Sequence, residues 1–158
     1  MDELARRLGE RLKAASAVLA TAESCTGGWA AQVVTSVAGS SSWFDRGFVT
    51  YSNAAKQEML GVRTETLRAH GAVSEATARE MARGALERSA ATVALAITGV
   101  SGPGGGTPDK PVGMVCFAWA QGRDTRSETR HLEGDRESVR RQSVILALEG
   151  VLKALRAG

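Results

Sequence analysis

The sequence predicts an α/β fold: a three-layer α/β/α sandwich around a mixed β-sheet, formed as a single domain over residues 1–158. Three observations carry that expectation. The chain of 158 residues is the right length for one core. Short apolar runs of strand length alternate with amphipathic helical stretches from end to end. The last two strand-like runs are joined by a Gln-Gly turn and the run before them is joined on by a Gly- and Pro-rich loop, whereas the first three are separated by helices.

The elements follow in order. MDELARRLGERLKAA places Leu4, Leu8 and Leu12 at helical spacing between charges, unlike the unbroken apolar region of a signal peptide. AVLATA (17–22) suits a buried strand, and WAAQVVTSVA (29–38) continues as a helix, so TAESCTGG is a strand-to-helix turn. WFDRGFVTY (43–51) is rich in β-formers; NAAKQEML (53–60) reads as a helix capped by Ser52 and closed by Gly61. RTETLRAHG (63–71) is a short helix. SEATAREMARGALERS (74–89) carries Ala78, Met81, Ala82, Ala85 and Leu86 on one face. ATVALAITG (91–99) is a strand that opens into a Gly- and Pro-rich loop over 99–113. GMVCFAWA (113–120) and DTRSETRHL (124–132) are strands, the second polar enough for an edge. The stretch 133–155 is a long helix with Val144, Leu148, Val151, Leu152 and Leu155 as its apolar side. Ligands of such sheets bind beyond the carboxyl ends of the strands, where the loops 22–28, 50–56 and 98–110 lie.

Composition narrows the function. A net charge of +3, scattered along the chain, with only 4% aromatic residues, argues against a nucleic-acid groove and leaves a small anionic ligand open. No stretch approaches a membrane span, and the expected location is cytoplasmic. Cys25 and Cys116 show no CxxC spacing, and with two histidines there is no recognisable zinc set; no metal and no cofactor are expected.

In TAESCTGG a hydroxyl at a strand-to-helix turn gains exposure and neighbouring N–H groups that can hold an oxyanion, from Cys25 and Thr26, while Gly27 and Gly28 permit close approach of a substrate. A capping hydroxyl explains Ser24 as well. A nucleophilic serine needs a base. His70 and His131 lie outside the three loops, whereas Lys56 lies in one beside Tyr51, and burial would let it lose its proton. A solvated helix face is the plainer reading of Lys56. Cys25 is a rival nucleophile without an obvious histidine partner. The loop from Gly99 through Ser101, Gly102, Gly104 and Gly105 matches no triphosphate motif but can form an anion nest. GDRESVRR sets Arg136 and Arg140 at a helix start, where either surface pairing with Glu133 and Asp135 or a bound phosphate accounts for them.

Taken together, TAESCTGG, GFVTYSNAAKQEMLGV, GAVSEATAREMA, ITGVSGPGGGTPDKPVG and GDRESVRRQ resemble the C-terminal domain of the competence/damage-inducible protein A (CinA) family, over about residues 17 to 150. The resemblance implies an amidohydrolase acting on a nicotinamide nucleotide, with Ser24 as nucleophile, Tyr51 and Lys56 as its partners, and Thr98 with the glycines of the following loop lining the pocket. It also implies self-association, a dimer being favoured, and a small-molecule nucleotide as partner. A catalytically idle nucleotide-sensing module of the same fold is the alternative. Met114 and the short HLEGDR segment depart from the family pattern and bear on substrate fit.

Overall fold

The structure, a computed structural model, describes residues 1–157. The amphipathic N-terminal stretch forms α1 (Asp2–Ala14), with Leu8 and Leu12 buried. The chain then enters β1 (Leu19–Glu23), two residues later than the apolar run suggests, because Ala17 N–H still closes α1 on the Leu12 carbonyl. Next come α2 (Trp29–Thr35), a short 3-10 turn (Ser40–Ser42), β2 (Phe44–Val49), α3 (Asn53–Leu60), α4 (Thr64–His70) and α5 (Glu75–Glu87). The chain ends with β3 (Val93–Gly99), β4 (Met114–Gln121), β5 (Asp124–His131) and α6 (Arg136–Ala157). Helix α6 starts at Arg136, three residues inside the expected stretch, because the Asp135 carboxylate accepts the Ser138 N–H at 2.9 Å and so caps it.

The strands form one open sheet of order β2-β1-β3-β4-β5. Pairing is parallel for β1 with β2 and with β3, and antiparallel from β3 through β5, so the sheet is mixed and the polar β5 is an edge. Alternation along the strands gives the faces different characters. One carries Leu19, Val93, Leu95, Ile97, Val115, Phe117 and Trp119 against α1, α2 and α6. The other carries Ala20, Ala22, Ala94, Ala96, Cys116, Ala118 and Ala120, and there the alanine-rich side of α5 and Leu60 of α3 pack. Small residues on both sides of that seam bring α5 and α3 close to the sheet.

Register sets the position of the site. Glu23 lies opposite Val49 on one side and Ile97 on the other, so β1 and β2 end level while β3 runs two residues further, to Gly99. The residues that follow form a row: Ser24 N–H donates to the Ile97 carbonyl at 3.0 Å, and Thr50 N–H to the Glu23 carbonyl at 2.8 Å.

Candidate active site

Beyond that edge lies a cavity of about 250 Å³ lined by Ser24, Cys25, Tyr51, Lys56, Ala72, Val73, Thr98, Gly99, Ser101 and Arg136. Residues from all three loops singled out in the sequence meet there.

Ser24 opens the turn after β1. Gly27 and Gly28, with φ of 60° and 103°, take the left-handed conformations that let the turn fold back, and Gly27 N–H closes on the Ser24 carbonyl at 3.1 Å. A buried carboxylate fixes the turn from within: Glu23 accepts from the Thr26 hydroxyl at 2.7 Å and from the N–H groups of Ala30 and Ala31 at 2.8 and 3.1 Å. It thus serves the otherwise unpaired amides at the start of α2. The sequence reading missed Glu23, since its partners are mostly backbone groups and nothing in the residue types marks it.

Lys56 rides on α3, which Ser52 caps by accepting the Ala55 N–H at 3.0 Å, as its position before the helix suggests. Lys56 is 1% exposed, and its amine reaches Ser24 Oγ at 2.9 Å, the Thr50 carbonyl at 2.8 Å and the Tyr51 carbonyl at 3.1 Å. Burial disfavours the ammonium form and lowers the lysine pKa. A neutral amine has two N–H donors and one lone pair. As arranged here the amine donates to Ser24 Oγ and to both carbonyls, and the Ser24 hydroxyl lies 3.4 Å from the Tyr51 carbonyl; loss of one proton from the amine would turn a lone pair toward Ser24.

Tyr51 enters this arrangement through its backbone. Its carbonyl holds the lysine, while its side chain stands 65% exposed at the cavity wall and its hydroxyl has no partner among the described residues. Cys25 is buried and its thiol is pushed up to about 11 by that burial, so it is no thiolate at neutral pH. The N–H groups of Cys25 and Thr26 meet no backbone carbonyl among the described residues.

The remaining expected residues divide. The Thr98 hydroxyl lines the cavity but is spent on the Ala72 carbonyl at 2.9 Å, which ties in the α4–α5 connection; Ala72 and Val73 were not foreseen as lining. Gly99 has no room for a side chain, since a Cβ would come within 2.8 Å of Val115. Ser101 is 5% exposed and its Oγ is without a partner. Gly102, Gly104 and Gly105 stand outside the lining, although the Gly102 carbonyl accepts from Arg136 Nη1 at 2.9 Å. Thr26, Gly27 and Gly28 shape the turn without lining the cavity. Arg136 reaches the cavity. Arg140, expected beside it, does not: its guanidinium is drawn to the carbonyls of Cys25 and Thr26, because one helical turn along α6 it faces the turn and not the opening. His70 and His131 are exposed and away from the cavity. Met114 packs at the edge of the small-residue core.

This layout, a serine at a strand-to-helix turn paired with a buried lysine, defines a hydrolase-like site on an α/β sheet. The chain belongs to the family described as the CinA C-terminal domain, whose model matches residues 1–155. It is 55% identical over 150 residues to nicotinamide-nucleotide amidohydrolase PncC of Escherichia coli K12, covering 93% of this chain and 90% of that protein. It is 53% identical to the protein of the same name from Pseudomonas putida, covering 95% and 94%. Among solved structures it superposes with TM-score 0.92 and 49% identity on the competence/damage inducible protein CihA from Agrobacterium tumefaciens, over 98% of this chain and 94% of that one.

Proposed function

We propose that this protein hydrolyses the carboxamide of nicotinamide mononucleotide, giving nicotinate mononucleotide and ammonia, with Ser24 as nucleophile and Lys56 as base. The observation that carries this reading is the 2.9 Å contact between Lys56 Nζ and Ser24 Oγ, with the lysine 1% exposed. The names of the relatives supply the substrate.

The chemistry follows from the donors. Lys56, neutral, takes the Ser24 proton as Oγ attacks the carboxamide carbon. The negative charge that develops on the carboxamide oxygen is met by the N–H of Cys25, which lines the cavity; one such donor is worth about 3–4 kcal/mol at the transition state. The ammonium of Lys56 then protonates the leaving nitrogen, ammonia departs, and an ester joins Ser24 to the nicotinoyl group. Water, deprotonated by the same amine, attacks that ester, and the proton returns to Ser24. Tyr51 orients the amine through its carbonyl, and its ring offers the substrate an aromatic wall. Arg136 at the cavity receives the 5′-phosphate.

The test is ammonia release from nicotinamide mononucleotide. Ser24→Ala should lose at least about 10³-fold in kcat, the scale seen when a nucleophile that works as a unit with its base is removed. A covalent acyl species on Ser24, trapped by mass spectrometry, would identify the nucleophile directly. Binding of the nucleotide with no ammonia from the unaltered protein would mean an idle sensing module instead.

A further inference from the structure

Arg140 projects from the second turn of α6, and two of its nitrogens are committed: Nε donates to the Cys25 carbonyl at 3.0 Å and Nη2 to the Thr26 carbonyl at 3.2 Å. Its guanidinium also lies 5.5 Å from the centre of the Trp29 ring. Arg140 is absent from the cavity lining that contains Arg136. We propose that Arg140 is a positioning residue of the hydrolytic site, holding in place the turn that brings Ser24 and Cys25 to the cavity, and that it takes no part in gripping phosphate. This rests on the reading of Ser24 as nucleophile.

The argument is geometric. In a planar trans peptide the C=O and the N–H point opposite ways. Drawing the Cys25 carbonyl toward α6 therefore directs the Thr26 N–H away from α6, just as Gly27 N–H on the Ser24 carbonyl turns the Cys25 N–H outward. Neither N–H group meets a backbone carbonyl in the turn, so the direction of each is set by what holds the carbonyl of its own peptide. The planar fork of an arginine can brace two successive carbonyls; the single ammonium of a lysine cannot do so in the same way.

The experiment compares Arg140→Ala and Arg140→Lys with the unaltered protein, using nicotinamide mononucleotide as substrate. Arg140→Ala should lower kcat by about 10²-fold, the low end for loss of an oxyanion donor, with KM within about twofold. Millimolar guanidinium ion should restore part of that kcat, and Arg140→Lys should fall between. Without substrate, the Thr26 amide resonance, which reports hydrogen bonding at the Cys25 carbonyl, should shift in both variants and return toward its position when guanidinium fills the gap in Arg140→Ala. A loss carried by KM with kcat intact would overturn the proposal and make Arg140 a substrate ligand. So would a Thr26 resonance that neither variant moves. If the unaltered protein releases no ammonia, the proposed substrate fails while the resonance still decides the role of Arg140; if Arg140→Ala does not fold, Arg140→Lys gives both readouts.

Discussion

A lysine amine at 1% exposure, donating to two carbonyls and to the Ser24 hydroxyl oxygen, loses its proton more readily than a lysine in water because burial disfavours the charge. Its lowered pKa, set by burial, has two consequences of known sign. On the proposed mechanism the active form is the deprotonated one, so kcat should rise as pH climbs through the lowered value and then level off, which a pH–rate profile will show. Folding follows the same proton. Between the lowered folded value and the ordinary 10.5 the unfolded chain binds more protons than the folded one, so this group's contribution to stability improves as pH rises across that window and is at its least favourable below it. Cys25 provides the contrast: a thiol pushed up to about 11 is protonated at neutral pH, so Cys25→Ala should keep kcat within about threefold, and iodoacetamide at pH 7.5 should label Cys25 far more slowly than a free thiol. Ser24 and Lys56 were legible in the sequence because their residue types, at a strand-to-helix turn and on a capped helix, carry the chemistry. Glu23 was not, and Arg140 was read as a phosphate ligand and not as a brace of the turn, because each acts mainly on backbone groups, Arg140 on groups more than a hundred positions away. Tyr51 was legible as a position; the contact it makes with the amine is through its carbonyl, which a residue type does not announce.

At the scale of elements, periodicity in the sequence locates every helix and strand to within a few residues, yet it is silent on how closely two helices approach. Gly84 shows why. In the stretch 74–89 it reads as one weak helix-former among alanines. In the fold it lies where α5 crosses the end of α3, and a Cβ there would sit 2.0 Å from the Leu60 carbonyl oxygen and 2.8 Å from its carbon. Backbone cannot swing aside as a flexible side chain does, so α3 must move. Gly84→Ala should therefore destabilise the protein by about 3 kcal/mol despite alanine's better helix propensity, the upper part of the range for overpacking. For a chain of this size that is roughly 6–12 °C in Tm. Because Lys56 is one turn before Leu60 on the same helix, kcat should fall as well, through a longer contact between Lys56 and Ser24. Calorimetry and ammonia release on the same preparation check both. The asymmetric sheet is part of the same cause: an alanine face was visible in the alternation of AVLATA and ATVALAITG, but the strand order that sets those alanines side by side comes from long-range pairing that no local pattern encodes.

At the scale of the whole molecule, the site joins segments that are distant in the chain: the turn after β1, the β2–α3 junction, the end of β3 with its glycine-rich loop, and the start of α6. A ligand that touches all of them couples local binding to global stability, because the unfolded chain cannot bring them together. In a Ser24→Ala background, where substrate is not consumed, nicotinamide mononucleotide at about 100 times its Kd should stabilise the fold by about 2.7 kcal/mol, or roughly 5–10 °C in Tm. Arg136 decides how much of that comes from the phosphate. It stands on the first residue of α6, exposed, lining the cavity and bound to the protein by one hydrogen bond, Nη1 to the Gly102 carbonyl at 2.9 Å. Most of its donors remain free for a ligand, and the positive end of the helix adds to its charge. Adding Arg136→Ala to Ser24→Ala should cost about 2 kcal/mol of nucleotide binding, some thirtyfold in Kd. At the same nucleotide concentration the stabilisation then shrinks to about 0.8 kcal/mol, a shift of roughly 2–3 °C measured from the double variant's own ligand-free Tm. Nicotinamide riboside, which has no phosphate, should shift the single and double variants equally. If instead both ligands lose the same amount, Arg136 serves the site only by bracing the loop through Gly102, and the phosphate is held elsewhere.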